Sequence, residues 1–116
     1  KPDKMYIVVR QDLRSGYQLP QAIHAKDEFT HKYPEIEHKW FEESNTLAVL
    51  GVADEEELFQ IVGKAQRAGL KHTSFFEPDV QAYTAVAIEP GAATSELLSE
   101  LRPAGIGRKR RRRRRR

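Results

Sequence analysis

Apolar and polar residues follow one another along this chain in blocks that predict strands separated by helices. Residues 5–9 and 46–52 are nearly continuous apolar runs rich in β-branched side chains, a pattern typical of strands covered on both faces. Shorter runs at 73–76 and 83–88 predict two further strands. The sheet is therefore expected to be buried between layers rather than exposed on one side.

Helical spacing of apolar residues begins after the first strand. Residues 19–33 have this spacing, and Pro20 is tolerated if it falls in the first turn. Ser15-Gly16 predicts a turn before the helix, and Pro34 is expected to end it and to open a second helix. Asp54 and Glu57 then predict the N-cap and capping-box partner of a third helix.

The predicted order β-α-α-β-α-β-β-α indicates an α/β fold, a three-layer α/β/α sandwich with a four-stranded mixed sheet. Strands that are separated by a helix are expected to run parallel. The third and fourth strands are joined by only a short loop, which leaves open an antiparallel arrangement of that pair. Thr94 or Ser95 is expected to cap a last helix that Pro103 ends. Residues 1–103 are predicted to form this domain, and residues 104–116 a polybasic C-terminal tail.

Charge divides the chain into an acidic body and a basic end. Nine of the 20 basic residues form one uninterrupted run from Arg108 to Arg116. Without them, 11 basic and 17 acidic residues remain, a net charge of −6. No window approaches the roughly 18 apolar residues of a membrane helix. The absence of cysteine excludes disulfides, thiolate metal sites and cysteine nucleophiles, and no signal-peptide pattern is present, so we expect a cytoplasmic protein.

Polar side chains cluster where the predicted strands end. In open α/β sheets, sites form at the carboxyl ends of strands, and the start of the following helix favours an anionic ligand. The predicted helix places two of these side chains in its first turns. The residues expected at this edge are Arg10, Gln11, Asp12, Arg14, Gln21, His24, Glu77 and Asp79.

Several of these features have a structural as well as a functional interpretation. His24 is either a hydrogen-bonding, half-buried histidine or a catalyst. A helical series of polar residues suggests metal ligation, but its last member, His31, lies two turns beyond His24, which favours a solvated face and no metal site. Glu77-Pro78-Asp79 is either a turn or a pair of carboxylates that share or position a proton.

Five segments together resemble the type II peptidyl-tRNA hydrolases over about residues 5–102. The resemblance implies hydrolysis of the ester that joins a peptide to the tRNA 3′ end, with tRNA or peptidyl-tRNA as partner and neither metal nor organic cofactor. A homodimer is left open. The segments are YIVVRQDL at 6–13, QAIHA at 21–25, DEEEL at 54–58, AGL at 68–70 and TAVAIEP at 84–90.

The resemblance also bears on single residues. The family's glutamine and histidine match Gln21 and His24, and its strand threonine matches Thr84. Tyr17 stands where the family has a lysine, and residues 77–81 replace the family's aspartate-alanine-glycine loop, so either carboxylate of that segment is a candidate. Strand-end position and resemblance together predict the catalytic residues His24, Asp79, Glu77 and Thr84 and the substrate-binding residues Gln21, Arg10, Arg14, Tyr17 and Asp12.

The resulting hypothesis is an ester hydrolase in which Asp79 or Glu77, with His24, orients and deprotonates a water. Thr84, Gln21 and the helix N-terminus would hold the substrate or stabilise the oxyanion. One alternative is a non-catalytic RNA-binding or regulatory module, and another is a domain that binds a small molecule or a protein.

RNA binding needs cations that contact phosphates, and the chain offers two sources. One hypothesis gathers five cations of the acidic body at a single edge. The other uses the terminal run of nine, which can extend about 30 Å. That run is either a native RNA contact or an engineered or incidental end. The five cations of the body are Lys4, Arg10, Arg14, Lys26 and Lys32.

Overall fold

Strands and helices alternate along the chain much as the apolar pattern predicts. The structure is a computed structural model that describes residues 3–105, so all of the predicted tail 104–116 except residues 104 and 105 lies outside the described residues. No helix within residues 3–105 is long and apolar enough to span a membrane. The elements are β1 (Met5–Arg10), α1 (Ser15–Lys32), α2 (Pro34–Glu43), β2 (Leu47–Val52), α3 (Glu55–Arg67), β3 (His72–Glu77), β4 (Ala82–Ile88), α4 (Ala92–Leu97) and β5 (Arg102–Pro103).

The sheet is mixed, and its strand order is β3-β4-β1-β2-β5. β1 pairs with β2 in parallel, and the other three pairs, including β3 with β4, are antiparallel. The predicted count of four strands is one short. The additional strand, β5, has only two residues, Arg102 and Pro103, and so short a segment carries no alternating pattern by which it can be recognised.

Each face of the sheet carries its own apolar core, which confirms the three-layer architecture. On one face, Ile7 of β1 and Ala87 of β4 pack with Phe29 of α1. On the other face, Val8 of β1 packs in a second cluster with Leu58 of α3. Neighbouring residues of β1 thus point to opposite faces, and both faces are covered.

The first helix starts earlier than predicted. Ser15-Gly16 is the first step of α1 rather than a turn, and Pro20 lies in the second turn rather than the first. The buried side chain of Gln18 accounts for this early start, since its amide donates to the carbonyl of Leu13 at 2.6 Å and so ties the preceding loop to the helix. The missing N–H of Pro20 costs α1 one internal hydrogen bond, which a helix of 18 residues tolerates.

The predicted helix signals around α3 are confirmed. Asp54 accepts a hydrogen bond from the backbone N–H of Glu57 at 3.0 Å. The Glu57 carboxylate in turn accepts from the N–H of Ala53 at 2.7 Å, so both ends of the capping box are bonded. Gly69 has a φ of 73°, the left-handed conformation that favours glycine just after a helix.

The last helix is shorter than predicted and begins earlier, at Ala92–Leu97. Neither Thr94 nor Ser95 is its N-cap, because both lie inside it. The Thr94 hydroxyl donates back to the carbonyl of Glu89 at 2.7 Å, so it stabilises the helix start from within the first turn. Pro103 does not end the helix, since it pairs with β2 as part of β5.

Candidate active site

Four segments meet at one edge of the sheet, namely the ends of β1 and β3 and the starts of α1 and β4. β4 is antiparallel to both β1 and β3, so its amino end lies beside their carboxyl ends. This placement brings the predicted polar segments into one region. The early start of α1 corrects one detail, because Gln21 and His24 lie in its second and third turns rather than beside its N-terminus.

A buried chain of hydrogen bonds links three of the predicted site residues. The Thr84 hydroxyl donates to the side-chain oxygen of Gln21 at 2.7 Å, and the Gln21 amide nitrogen donates to Glu77 Oε1 at 3.0 Å. Thr84 is 0% exposed, Gln21 1% and Glu77 9%. Because Gln21 donates at one end and accepts at the other, its amide has a single satisfied orientation. The Thr84 hydroxyl is therefore committed to Gln21 and does not line the open surface.

An irregularity in β4 gives Thr84 its direction. The pairing of β3 with β4 shifts between Phe75 and Phe76, which face Ala85 and Tyr83, so Thr84 is the extra residue of a β-bulge. Regular alternation would point Thr84 to the α3 face together with Val86. Because of the bulge, its hydroxyl instead reaches Gln21 on α1.

Glu77 is held as an ionised carboxylate. The backbone N–H of Asp79 donates to its second oxygen, Oε2, at 3.1 Å. This bond, followed by the amide of Gln21 and the nearby imidazole of His24, lowers the pKa of the Glu77 carboxyl below its usual range. With both oxygens bonded and little of the side chain exposed, Glu77 is a fixed negative charge rather than a free proton acceptor.

Asp79 and Tyr17 form the exposed part of the cluster. The Tyr17 hydroxyl donates to Asp79 Oδ2 at 3.3 Å, and Asp79 itself is exposed. Partial burial and the carboxylates of Asp79 and Glu77 raise the pKa of the Tyr17 phenol, against a smaller opposing effect of Arg14. Tyr17 therefore stays protonated near neutrality and keeps its donor directed at Asp79.

His24 lies on the same side of the sheet as Glu77. Its ring stacks on Phe75, with centroids 4.6 Å apart and an interplanar angle of 21°. Phe75 precedes Glu77 by two residues in β3, so the two side chains point to the same face. His24 is exposed, which leaves its ring nitrogens accessible to a ligand or a water. Within residues 3–105 no group of three or more His, Asp or Glu side chains is arranged to hold a metal ion.

Arg10 and Asp12 bind each other rather than the buried chain. The Arg10 guanidinium makes two bonds to the Asp12 carboxylate, at 3.0 and 2.9 Å, and this contact lowers the pKa of Asp12. A further guanidinium nitrogen donates to the carbonyl of Tyr83 at 3.0 Å, and Glu55 of α3 accepts from the N–H of Tyr83 at 3.0 Å. β1 stops pairing with β4 at Ala85, so these two side chains replace a strand partner for Tyr83.

The cations expected to gather at one edge are in fact spread over the molecule. Lys4 and Arg10 lie at opposite ends of β1, about 20 Å apart at the rise of a strand. Arg14 and Lys32 lie at opposite ends of α1, about 27 Å apart. Lys26 is paired with Glu37 of α2 at 2.9 Å. The hypothesis of one basic edge is therefore wrong for the part of the chain that the structure describes.

Sequence reasoning missed three residues that shape this region. Gln18 ties the loop after β1 to α1, and its spacing of three residues from Gln21 on the helix is a signal that was available. Phe75 was predicted only as a strand residue, although it supports His24. Glu55 lies in the first turn of α3, where an acidic residue is common, but it also bonds Tyr83, and no local pattern reveals a contact over 28 positions.

The mixed sheet has helices on both faces and a polar cluster at the ends of its strands, which defines an α/β protein with a candidate site at those strand ends. The sequence profile of the family described as Peptidyl-tRNA hydrolase PTH2 matches residues 3–101, and the chain belongs to this family. No curated protein matches the chain. A solved structure of a protein of unknown function from Agrobacterium tumefaciens has the same fold at 12% identity and a TM-score of 0.66, covering 89% of this chain and 98% of that one.

Proposed function

We propose that this chain hydrolyses the ester between a peptide and the 3′ end of tRNA. Membership of the peptidyl-tRNA hydrolase family supports the reaction class. The observation that carries the proposal is the hydrogen-bond chain from Thr84 through Gln21 to Glu77, which ends beside the exposed carboxylate of Asp79. Three separate stretches of sequence build this arrangement at the sheet edge where α/β proteins bind ligands.

In this proposal Asp79 and His24 orient and deprotonate the attacking water. Both side chains are exposed, whereas Glu77 is buried with both oxygens bonded, which favours Asp79 as the acting carboxylate. Histidine is the side chain whose unperturbed pKa lies nearest neutrality, which suits a general base. Water adds to the ester carbonyl, the bond to the ribose oxygen breaks, and the proton passes to that oxygen. The products are a peptide acid and tRNA with a free hydroxyl.

The remaining predicted residues position these groups or the substrate. Thr84 and Gln21 fix Glu77, whose carboxylate in turn orients the backbone of Asp79. Tyr17 donates to Asp79 from the position where the family has a lysine, so a neutral donor takes the place of a cation there. The N–H of Tyr17 donates to the carbonyl of Arg14 at 2.9 Å, so the backbone amides suited to stabilise the oxyanion are those of Ser15 and Gly16, at the uncapped start of α1.

The body is acidic, so we assign binding of the tRNA part to a small number of cations. Arg14 is exposed at the start of α1, close to Tyr17, and is suited to contact a phosphate. Arg10 forms an ion pair with Asp12, so this pair is better suited to border the candidate site than to neutralise a phosphate. The run from Arg108 to Arg116 supplies the remaining positive charge.

The test is release of N-blocked peptide from peptidyl-tRNA by the full chain and its variants. A positioned general base contributes about 10²- to 10⁴-fold, so His24→Ala and Asp79→Asn should each lower kcat by about that factor. His38→Ala on α2 and Asp27→Asn on α1 change the same residue types at exposed positions and should retain the rate within about twofold.

Two results would contradict the proposal. One is a loss of less than about threefold in both site variants, which would remove His24 and Asp79 from the reaction. The other is tRNA binding by the unchanged chain without any release of peptide, the behaviour of a non-catalytic RNA-binding module.

A further inference from the structure

β3 is one of the two outermost strands of the sheet. In the order β3-β4-β1-β2-β5, β3 pairs only with β4, and no other strand of residues 3–105 covers it. Its sequence, HTSFFE, contains no lysine or proline, the residues that usually block an exposed edge. The bulge lies in β4, so β3 itself is not interrupted. Such an edge is open to pairing with another extended chain.

The hydrogen-bonding pattern identifies which main-chain groups face outward. The N–H of Glu89 donates to the carbonyl of Lys71 at 2.9 Å, so this pair bonds across the two strands. Bonded and non-bonded pairs alternate in an antiparallel ladder. Thr73 therefore bonds to β4, whereas the N–H and C=O groups of His72 and Ser74 point away from the sheet.

A groove runs along these outward groups. It has a volume of about 510 Å³, and the last turns of α1 form its wall opposite β3. An edge strand beside a helix is the geometry in which an extended peptide can add to a sheet as a further strand. The lining residues are Glu28, His31, Lys32, His72, Thr73 and Ser74.

The chemistry of the groove favours a peptide main chain over RNA. Its wall carries one carboxylate, Glu28, and one ammonium group, Lys32, so it does not offer the cationic surface that a phosphate backbone needs. The body around it has a net charge of −6, which repels a polyanion further. Within residues 3–105, the groove presents N–H and C=O groups that no other strand pairs, and such groups can bind a peptide main chain irrespective of its side chains.

We propose that this groove binds the peptidyl part of the substrate as an extended strand parallel to β3. This inference rests on the proposed function. β3 ends at Glu77, next to Asp79, and the scissile ester is at the carboxyl end of the peptide, so the peptide must run in the direction of β3 for its ester to reach the site. Ser74 lies three residues before Glu77, about 10 Å along a strand. The pairing therefore engages peptide residues three or more positions from the ester.

The first experiment compares acyl lengths on the same tRNA. The full chain should hydrolyse N-acetyl-pentaalanyl-tRNA with kcat/KM about tenfold above that for N-acetyl-alanyl-tRNA, the effect of one or two additional main-chain hydrogen bonds. Ser74→Pro removes an outward N–H that β4 does not use and should abolish this difference while leaving the short substrate unaffected. Ser74→Ala retains the N–H and should preserve the difference.

A second experiment needs no hydrolysis. Titration of the isotope-labelled full chain with free N-acetyl-pentaalanine should shift the amide resonances of His72 and Ser74 and slow their hydrogen exchange. If neither changes, or if these amides are already protected in a concentration-dependent dimer, the proposal is overturned. If the chain hydrolyses the substrate but its rate does not depend on acyl length and the amides of His72 and Ser74 do not change, only the proposal for the groove is refuted. Amide changes without any hydrolysis refute the proposed function and leave the groove as a peptide site.

Discussion

Replacing Thr84 by valine tests whether the buried hydrogen-bond chain controls the candidate active site. Valine keeps the shape of threonine but removes the hydroxyl that donates to Gln21 at 2.7 Å. Gln21 is 1% exposed, so its side-chain oxygen would have neither this donor nor ready access to water. The Gln21 amide would then lose the bond that fixes its orientation toward Glu77.

The expected cost follows from the burial of both partners. Leaving a buried acceptor unsatisfied costs about 1–3 kcal/mol, so the free energy of unfolding of Thr84→Val should fall by that amount. If the same free energy is lost from stabilisation of the transition state, kcat/KM should fall about 5- to 160-fold. The pKa of Glu77 should also rise toward its ordinary value, because its bond from Gln21 contributes to the present lowering.

Thr73→Val is the matched control. Thr73 is also a buried threonine whose hydroxyl donates to α1, here to the carbonyl of Ala25 at 2.9 Å. That carbonyl keeps the N–H four residues later in the helix as a partner, so the loss of stability should be smaller, about 0.5–1.5 kcal/mol. With N-acetyl-alanyl-tRNA, which is too short to reach the groove along β3, its kcat/KM should stay within about twofold of the unchanged chain.

Denaturant unfolding of both variants, followed by hydrolysis of peptidyl-tRNA at a temperature where both are folded, separates stability from activity. The reasoning is refuted if Thr84→Val loses stability as expected but hydrolyses the substrate as fast as Thr73→Val. Such a result would make the chain from Thr84 to Glu77 a support of the fold and nothing more.

Three further predictions concern the polar groups of the candidate site and the C-terminal basic run. Tyr17→Phe removes the donor to Asp79 and should lower kcat/KM about 3- to 10-fold with little change in unfolding free energy; an unchanged rate would remove Tyr17 from the mechanism. The pKa of Glu77 is lowered in the folded chain, so its ionised form stabilises the fold at pH values above the ordinary pKa of 4.5, and this stabilisation is lost as the pH falls through the folded pKa. Glu77→Gln should therefore weaken the fall of the unfolding free energy at acidic pH. The same fall in the variant and in the unchanged chain would contradict the lowered pKa of Glu77. A chain that ends at Gly107 should bind tRNA more weakly and with a shallower dependence of log Kd on log salt, whereas equal slopes would show that residues 108–116 do not contact phosphates.

Much of the fold could be predicted because its determinants are local. The continuous apolar runs of β1 and β2 require cover on both faces, and that requirement gives the three layers. Pro34 and the pair of Asp54 and Glu57 fix helix ends by chemistry within one turn. β5 could not be predicted, because its two residues pair with β2 only after the rest of the sheet has formed.

The candidate site was predictable as a region but not as a set of contacts. Strand order places Glu77 and Asp79 near Gln21. This region follows from the general rule that sites in open α/β sheets form at the carboxyl ends of the strands. The direction of Thr84 depends on a bulge, which an alternating pattern in a single sequence does not reveal. Glu77 is buried because it is the last residue of β3, on the face under α1, whereas Asp79 is exposed because it lies in the turn beyond the strand, and the sequence does not fix where the strand ends.

The contacts of Tyr83 connect the two sides of the sheet. Glu55 reaches its N–H from the α3 layer, Arg10 reaches its carbonyl from the end of β1, and the next residue, Thr84, points into the opposite layer. A substitution at Glu55 should therefore affect the proposed reactive groups through the peptide backbone, without contacting them. Among relatives of this chain, the residues equivalent to Glu55 and Arg10 should therefore vary together with the residue equivalent to Thr84. Loss of either Glu55 or Arg10 should lower the rate of the proposed hydrolysis even where every side chain that meets the substrate is retained.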